Sequence, residues 1–312
     1  MSIYGVLVGD AVGAFLEFRK KITGDMVDEA FTLPGGGAHH LNPGQITDDG
    51  ELTLGLWWLL SRKGVDPSTH ECESETLRLL ARWYKSDPFD IGNTTETACV
   101  YAGQYVRGQL TFEGALAQIA LYNAESEANG ALMRIAPIAQ WASIHGMSPA
   151  VAAQCARRQA LLSHPSPVCQ EANAVYTYLA VSLLNGMTRD RALRSTREYA
   201  QSCRTTVRHW YMDALAAKAW AQGLTPRHNI GHVKHAFMLA VQALVLNLDY
   251  VSAIRETIAL GGDTDTNAAI VGGLVGIVEP IPTELLNGVL QCECDRPIEF
   301  RASYMTPEGL GS

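Results

Sequence analysis

The sequence predicts an all-α fold, and three observations support this class. Apolar residues recur at helical spacing almost throughout the chain, as in Leu52, Leu56 and Leu59. No run alternates between apolar and polar residues over the length that a strand needs. Prolines such as Pro149 and Pro280 stand where the helical pattern starts or stops. We therefore expect a compact single-domain helical bundle.

The apolar pattern places fourteen helices along the chain. They are expected at 2–18, 51–62, 71–85, 95–107, 112–121, 131–144, 149–163, 168–185, 189–200, 205–222, 234–247, 249–260, 265–277 and 283–290. One segment differs, because 32–45 reads TLPGGGAHHLNPGQ and is too rich in glycine and proline for a helix. It is either a mobile flap beside a functional site or a plain surface loop.

Composition favours a globular chain of one domain over 1–312. Of its 312 residues, 47% are hydrophobic and 18% are charged, and no linker-like stretch divides them. The formal net charge of −8 argues against a large basic surface for binding nucleic acid. No stretch has the length of apolar residues that a membrane span requires.

The cysteines and the N-terminus favour a cytoplasmic protein. Seven cysteines are scattered along the chain without the dense framework of a secreted domain, and Cys292 and Cys294 are expected to be ordinary thiols. Asp10 interrupts the opening apolar run, and neither a basic flank nor a cleavage site accompanies it, so we do not expect a signal peptide.

Two acidic clusters concentrate hard oxygen ligands just before apolar helices: Thr47-Asp48-Asp49 and Asp263-Thr264-Asp265-Thr266. Such oxygen-only sets suit Mg²⁺ or Mn²⁺ better than zinc. The alternative is helix capping, in which Asp48 and Glu51 would form a capping box. A cap needs only one acceptor, so paired acids at both places exceed that role and favour a bound cation. The 215 positions between Asp48 and Asp263 do not show whether the clusters meet.

Six motifs, taken in order, resemble those of the ADP-ribosylglycohydrolases, including the dinitrogenase reductase-activating enzymes. The two acidic motifs are the most specific, and many members of the family have threonine where this chain has Gly50. The motifs are GVLVGDAVGAFLEF at 5–18, ITDDGELTL at 46–54, FDIGNTT at 89–95, NGALMRIAP at 129–137, SHPSPVCQEA at 163–172 and GGDTDTNAAIVGGLVG at 261–276.

The resemblance implies an all-helical fold with a centre of two Mg²⁺ or Mn²⁺ ions. The implied metal ligands are Thr47, Asp48, Asp49, Asp263, Asp265 and Thr266. Asp49 and Asp265 would also act in catalysis, and Asp90 would face the departing group of the substrate. Glu17 would serve beside the metals or in proton transfer, with a solvated helix residue as the alternative.

The residue types and the resemblance together predict a set of residues that contact substrate. Backbone N–H groups of the turn that starts at Asn129 would bind a pyrophosphate, although an ordinary Asn-Gly turn is the alternative. His164 and Tyr211 would contact the ligand, unless they are a satisfied terminal histidine and a packed core tyrosine. The full predicted set is Asn93, Asn129, Gly130, Met133, Arg134, His164 and Tyr211.

The expected activity is metal-dependent hydrolysis of the glycosidic bond that joins ADP-ribose to a modified protein. The expected acceptor is arginine, because the Asp90 carboxylate would pair with a guanidinium, and free ADP-ribose would be a product. Two alternatives remain: a catalytically inactive ADP-ribose-binding or structural protein, and a two-metal hydrolase that acts on a phosphoester or a free nucleotide sugar.

Overall fold

A computed structural model of the chain describes residues 2–305, and within them the predicted all-α class is confirmed. The single domain predicted over 1–312 extends beyond the described residues at both ends. The α-helices are α1 Ser2–Ala14, α2 Gly24–Ala30, α3 Asp48–Leu60, α4 His70–Lys85, α5 Asn93–Val106, α6 Phe112–Asn123, α7 Ala136–Ile144, α8 Pro149–Leu161, α9 Pro167–Leu184, α10 Arg189–Ala200, α11 Val207–Leu215, α12 Val233–Val245, α13 Tyr250–Ala259, α14 Thr264–Val275 and α15 Thr283–Leu290.

Short 3-10 helices at Ile298–Phe300 and Ala302–Tyr304 follow α15. Across residues 2–305, strand-like pairing is limited to two isolated bridges, Gly36 with Leu41 and Ala128 with His232. Over the same range, no helix combines the length and the apolar character needed to cross a membrane.

Several helix boundaries differ from the sequence prediction. The short helix α2 was not predicted, because seven residues with two buried side chains are too few to show a period. α3 begins at Asp48 rather than at 51, so Asp48 and Asp49 lie in its first turn. α7 begins only at Ala136, since residues 131–134 form turns, and α11 already ends at Leu215.

Two helices from opposite parts of the chain, α1 and α14, form the centre of the molecule. Every residue of both helices is buried. Gly5, Gly9 and Gly13 form one face of α1, and a Cβ at any of them would overlap the backbone of α14. The helices are antiparallel, since Gly5 meets Gly272 whereas Gly13 meets Thr264. This close approach brings the end of α1 to the start of α14.

Helices α4 and α5 form a hairpin that flanks this centre. Residues 86–92 connect them and include Asp90. The C-terminal segment closes over α3 and the start of this connection, because Arg296 bonds both Glu51 and the carbonyl oxygen of Ser86. The first turns of α3, α5 and α14 therefore surround one region of the molecule, which holds the candidate site.

Candidate metal centre and active site

A cluster of carboxylates lies where the end of α1 meets the first turns of α3 and α14. Asp10, Asp49 and Asp265 each offer one carboxylate oxygen, and these atoms lie within 4.8 Å of one another. Glu17, Asp263 and Asp265 form a second set by the same measure. Asp265 belongs to both sets, so the structure brings the two acidic motifs together into adjoining groups of oxygen ligands.

Helix capping does not account for these side chains. Thr47 and Asp263 occupy the N-cap positions of α3 and α14, yet neither makes a side-chain capping bond. Thr47 Oγ1 instead donates to Asp10 Oδ1 at 2.8 Å and to Asp49 Oδ2 at 3.2 Å. Glu51 accepts bonds from Trp83 and Arg296, so its carboxylate is not engaged in a capping box. Neither N-cap residue therefore caps its own helix, and the Thr47 hydroxyl instead bonds carboxylates of the cluster.

Asp10 organises the start of α3, although sequence reasoning had not assigned it a role. Its Oδ2 accepts the backbone N–H groups of Thr47 at 2.9 Å and Gly50 at 2.8 Å. A Cβ at Gly50 would lie 2.7 Å from the same oxygen. The glycine therefore permits the close approach of the Asp10 carboxylate. The available signal was a carboxylate within an otherwise apolar helix.

Burial and repulsion between carboxylates raise the pKa values of Asp10, Asp49 and Asp265. Burial raises the pKa of Asp10 to about 7, although bonds from Thr47 and Gly50 oppose the shift. The pKa values of Asp49 and Asp265 are raised well above the ordinary value, first by burial and then by neighbouring carboxylates. Asp49 Oδ1 is buried without a hydrogen-bond partner among the described residues. Hard cations fit this all-oxygen set, because they would neutralise it and satisfy that atom.

A pocket of about 270 Å³ adjoins the cluster and receives most of the predicted site residues. Thr47 and Asp49 lie buried behind it, where Asp49 Oδ2 accepts a 3.2 Å bond from Thr266 Oγ1. The predicted residues that line the pocket are Glu17, Asp48, Asp90, Asn93, Asn129, Gly130, Met133, His164, Asp263, Asp265 and Thr266.

The turn that begins at Asn129 joins one wall of the pocket to the acidic cluster. Asn129 Nδ2 donates to Asp263 Oδ2 at 2.7 Å, and the N–H of Gly130 has no hydrogen-bond partner among residues 2–305. His164 is buried next to this turn. Burial and the nearby charge of Arg134 lower the pKa of His164 to about 3, so its imidazole is neutral.

The glycine-rich segment 32–45 lies against the site, and His39 makes the contact. His39 Nε2 lies 2.8 Å from Glu17 Oε2 and 3.6 Å from Asp90 Oδ2. Its ring packs between those of Phe18 and Phe89, with centroids 6.0 and 5.6 Å away. Sequence reasoning left His39 without a role, because nothing in the chain linked this loop to Glu17.

Two residues of the predicted substrate set do not reach the pocket. Arg134 is 1% exposed and donates to Ser163 Oγ at 2.9 Å, so its guanidinium lies behind His164. Tyr211 is buried in the core, where its hydroxyl donates to the carbonyl oxygen of Leu193 at 3.0 Å. Packing and internal hydrogen bonds account for both side chains.

Comparison with known proteins decides the family. The sequence profile described as ADP-ribosylglycohydrolase matches residues 1–303. The chain belongs to this family. The resemblance seen in the six motifs is thereby confirmed, and it extends over nearly the whole sequence.

Relatives and a solved structure agree with this assignment. The ADP-ribosyl-[dinitrogen reductase] glycohydrolase of Rhodospirillum rubrum is 28% identical, covering 92% of this chain and 88% of the relative. The ADP-ribosylarginine hydrolase Tri1 of Serratia proteamaculans (strain 568) is 27% identical, covering 98% of this chain and 79% of the relative. A structure titled "ADP-ribosylglycohydrolase-related protein complex" superposes with a TM-score of 0.71 at 25% identity, covering 92% of this chain and 90% of that one.

Proposed function

We propose that this ADP-ribosylglycohydrolase releases ADP-ribose from mono-ADP-ribosylated arginine on a protein, with two Mg²⁺ or Mn²⁺ ions as cofactors. The observation that carries the proposal is the pair of acidic sets that share Asp265 beside the pocket. Two adjoining oxygen sets suit two hard cations. The metal ligands would be Thr47, Asp48, Asp49, Asp263, Asp265 and Thr266, with Glu17 beside them. When bound, such ions would stabilise charge that develops on oxygen atoms of the reacting sugar.

The pocket walls offer donors for the anionic part of ADP-ribose. Asn93 starts α5, whose first-turn N–H groups lie at the pocket, and the Gly130 N–H lies at the opposite turn. Helix N-termini and free backbone N–H groups bind phosphate without basic side chains, which suits a chain of net charge −8. Asn129, Met133 and neutral His164 would complete this wall.

Asp90 supports arginine as the acceptor. It lines the pocket together with Glu17, so a planar guanidinium would meet two carboxylates there. Glu17 would hold or transfer a proton during the reaction at Oε2, the oxygen that is hydrogen-bonded to His39 Nε2. The relatives named as ADP-ribosylarginine hydrolase and ADP-ribosyl-[dinitrogen reductase] glycohydrolase support the same acceptor class.

The seven free cysteines support a reducing, cytoplasmic location.

The test is release of free ADP-ribose from mono-ADP-ribosylated arginine and serine peptides, with Mg²⁺, with Mn²⁺ and with chelator. We expect metal-dependent release from the arginine peptide. Asp265→Asn removes a charge shared by both sets and should lower kcat at least about a hundredfold. Asp213→Asn is the matched control, because Asp213 is exposed on α11.

Other outcomes would redirect the assignment. Tight ADP-ribose binding without turnover of either peptide would favour an inactive ADP-ribose-binding protein. Release from the serine peptide alone would overturn the acceptor.

A further inference from the structure

The outer face of the α4–α5 hairpin carries a second, larger cavity of about 850 Å³. Val100 and Val106 line it and remain 38% and 46% exposed. Gly103 lies between them on α5, and a Cβ there would meet the Arg107 guanidinium at 3.3 Å. Gly103 therefore leaves room for the Arg107 guanidinium, and the two valines remain open to solvent.

The rim of the groove is positively charged, whereas the chain as a whole is negatively charged. Four cationic side chains line it against the single carboxylate of Glu75, in a chain of net charge −8. Arg78 and Arg82 have carboxylate partners, whereas Lys85 and Arg107 form no ion pair with a described residue. The groove thus combines apolar walls with four cationic side chains, two of which have no ion-pair partner among the described residues.

The groove begins close to the candidate site. Asn93 lines the pocket and Cys99 lines the groove, and both lie on α5. Six residues of α-helix correspond to a rise of about 9 Å. The connection that carries Asp90 joins the same two helices. A protein segment in the groove would therefore lie within reach of a side chain that enters the pocket.

We propose that this groove binds an acidic, apolar segment of the ADP-ribosylated protein, and so holds the modified arginine at the site. This inference rests on the proposed function. Exposed valines favour a partner with apolar side chains, and the cationic rim favours carboxylates between them. A nucleic acid would match the charge but leave the apolar walls unused.

The first test measures binding without turnover. The probe is an unmodified fluorescent peptide of about 20 residues with glutamate and leucine at amphipathic helical spacing, and its partner has glutamine for glutamate. We expect fluorescence anisotropy to show binding of the glutamate peptide. The combined change Arg78→Gln, Lys85→Gln and Arg107→Gln should weaken it about tenfold or more.

Two control variants separate the groove from general charge and folding. Arg191→Gln, Arg194→Gln and Arg197→Gln remove the same charge from exposed positions on α10 and should change binding less than about twofold. Val100→Glu should abolish binding, whereas Val151→Glu on α8, also exposed, should not. An equal loss of peptide binding in the groove triple variant and the α10 triple variant would overturn the proposal.

The second test uses ADP-ribosylarginine peptides with and without the acidic extension. We expect the groove variant to raise KM about tenfold for the extended peptide alone, with kcat unchanged. An unchanged KM would overturn the docking proposal while leaving the hydrolase intact. Failure of the wild type on the short peptide would instead count against the proposed function. Competition by an oligonucleotide alone, or groove-dependent dimers in ultracentrifugation, would overturn the proposed occupant.

Discussion

Arg134 is buried outside the pocket, yet it acts through Ser163 on His164, which lines the pocket. Arg134 donates to Ser163 Oγ at 2.9 Å, and Ser163 Oγ lies 2.9 Å from His164 Nδ1. Because Ser163 accepts from Arg134, its own proton is free to bond Nδ1, which leaves the imidazole proton on Nε2. Arg134 thus positions a neutral donor without touching the pocket.

Gly130 provides a test of this wall. In Gly130→Ala the new Cβ would lie 2.9 Å from Thr95 Oγ1 and 3.0 Å from His164 Cε1. We expect the displaced imidazole to weaken ADP-ribose binding about tenfold or more, measured by calorimetry. Gly24→Ala is the control, because its added Cβ meets nothing within 4 Å. Wild-type affinity in Gly130→Ala would show that this contact does not shape the ligand site.

The acidic motifs could be located from the sequence, but not all of the residues that contact them in the folded protein. Paired aspartates before apolar helices are visible in the sequence, whereas the approach of Asp10 depends on how α1 packs. Tyr211 and Arg134 show the opposite error, because residue type does not reveal which side chains turn into the core. His39 lies 22 positions from Glu17, and only the folded loop brings them together.

At the scale of elements, the segment 291–305 that follows α15 holds α3 in position through Arg296. Arg296 bonds both oxygens of Glu51, at 2.7 and 2.8 Å, and Trp83 Nε1 donates to Glu51 Oε2 at 2.7 Å. Arg296 also donates to the carbonyl oxygen of Ser86 at the start of the connection that carries Asp90. One buried guanidinium therefore links the segments that present Asp48, Asp49 and Asp90.

Arg296→Met tests this link. It would leave the Glu51 carboxylate buried without its cation, so we expect a loss of about 3–5 kcal/mol in the free energy of unfolding by urea. Arg189→Met breaks the more exposed pair with Glu279 and should cost about 1 kcal/mol or less. Equal losses in the two variants would contradict a special role for the buried pair.

Helix identity was easier to predict than helix ends or convergence. Long apolar periods gave the positions of most helices, but the start of α3 depends on hydrogen bonds that the Asp10 carboxylate accepts from the backbone of Thr47 and Gly50. The meeting of Asp49 with Asp265 depends on the α1–α14 contact. Sequence spacing alone does not contain that contact.

At the scale of the whole molecule, the buried acidic centre should make stability depend on pH. Burial raises the pKa values of Asp10 and Glu17 from 3.8 and 4.5 to about 7. Between these limits the folded state holds protons that the unfolded state has lost. The stability of metal-free protein therefore falls as pH rises through this window.

We expect the Tm of chelator-treated protein to drop by several degrees from about pH 5 to about pH 8. Mg²⁺ or Mn²⁺ at about 100 times its Kd should restore about 2.7 kcal/mol at the higher pH, measured by calorimetry. Asp265→Asn should reduce the metal-induced gain, whereas Asp213→Asn should not. A pH-independent Tm without metal would contradict the role of these carboxylates.

The antiparallel packing of α1 and α14 has a consequence during synthesis of the chain. Thr264 Oγ1 donates to the carbonyl oxygen of Gly13 across 251 positions. At about 5 to 20 residues per second, a ribosome makes α14 roughly ten to fifty seconds after α1. Throughout that interval the glycine face of α1 lacks its partner, which leaves an apolar helix for chaperones to shield. The two carboxylate sets that share Asp265 are also incomplete until then, so the proposed metal binding, and activity with it, would begin only at the final stage of folding.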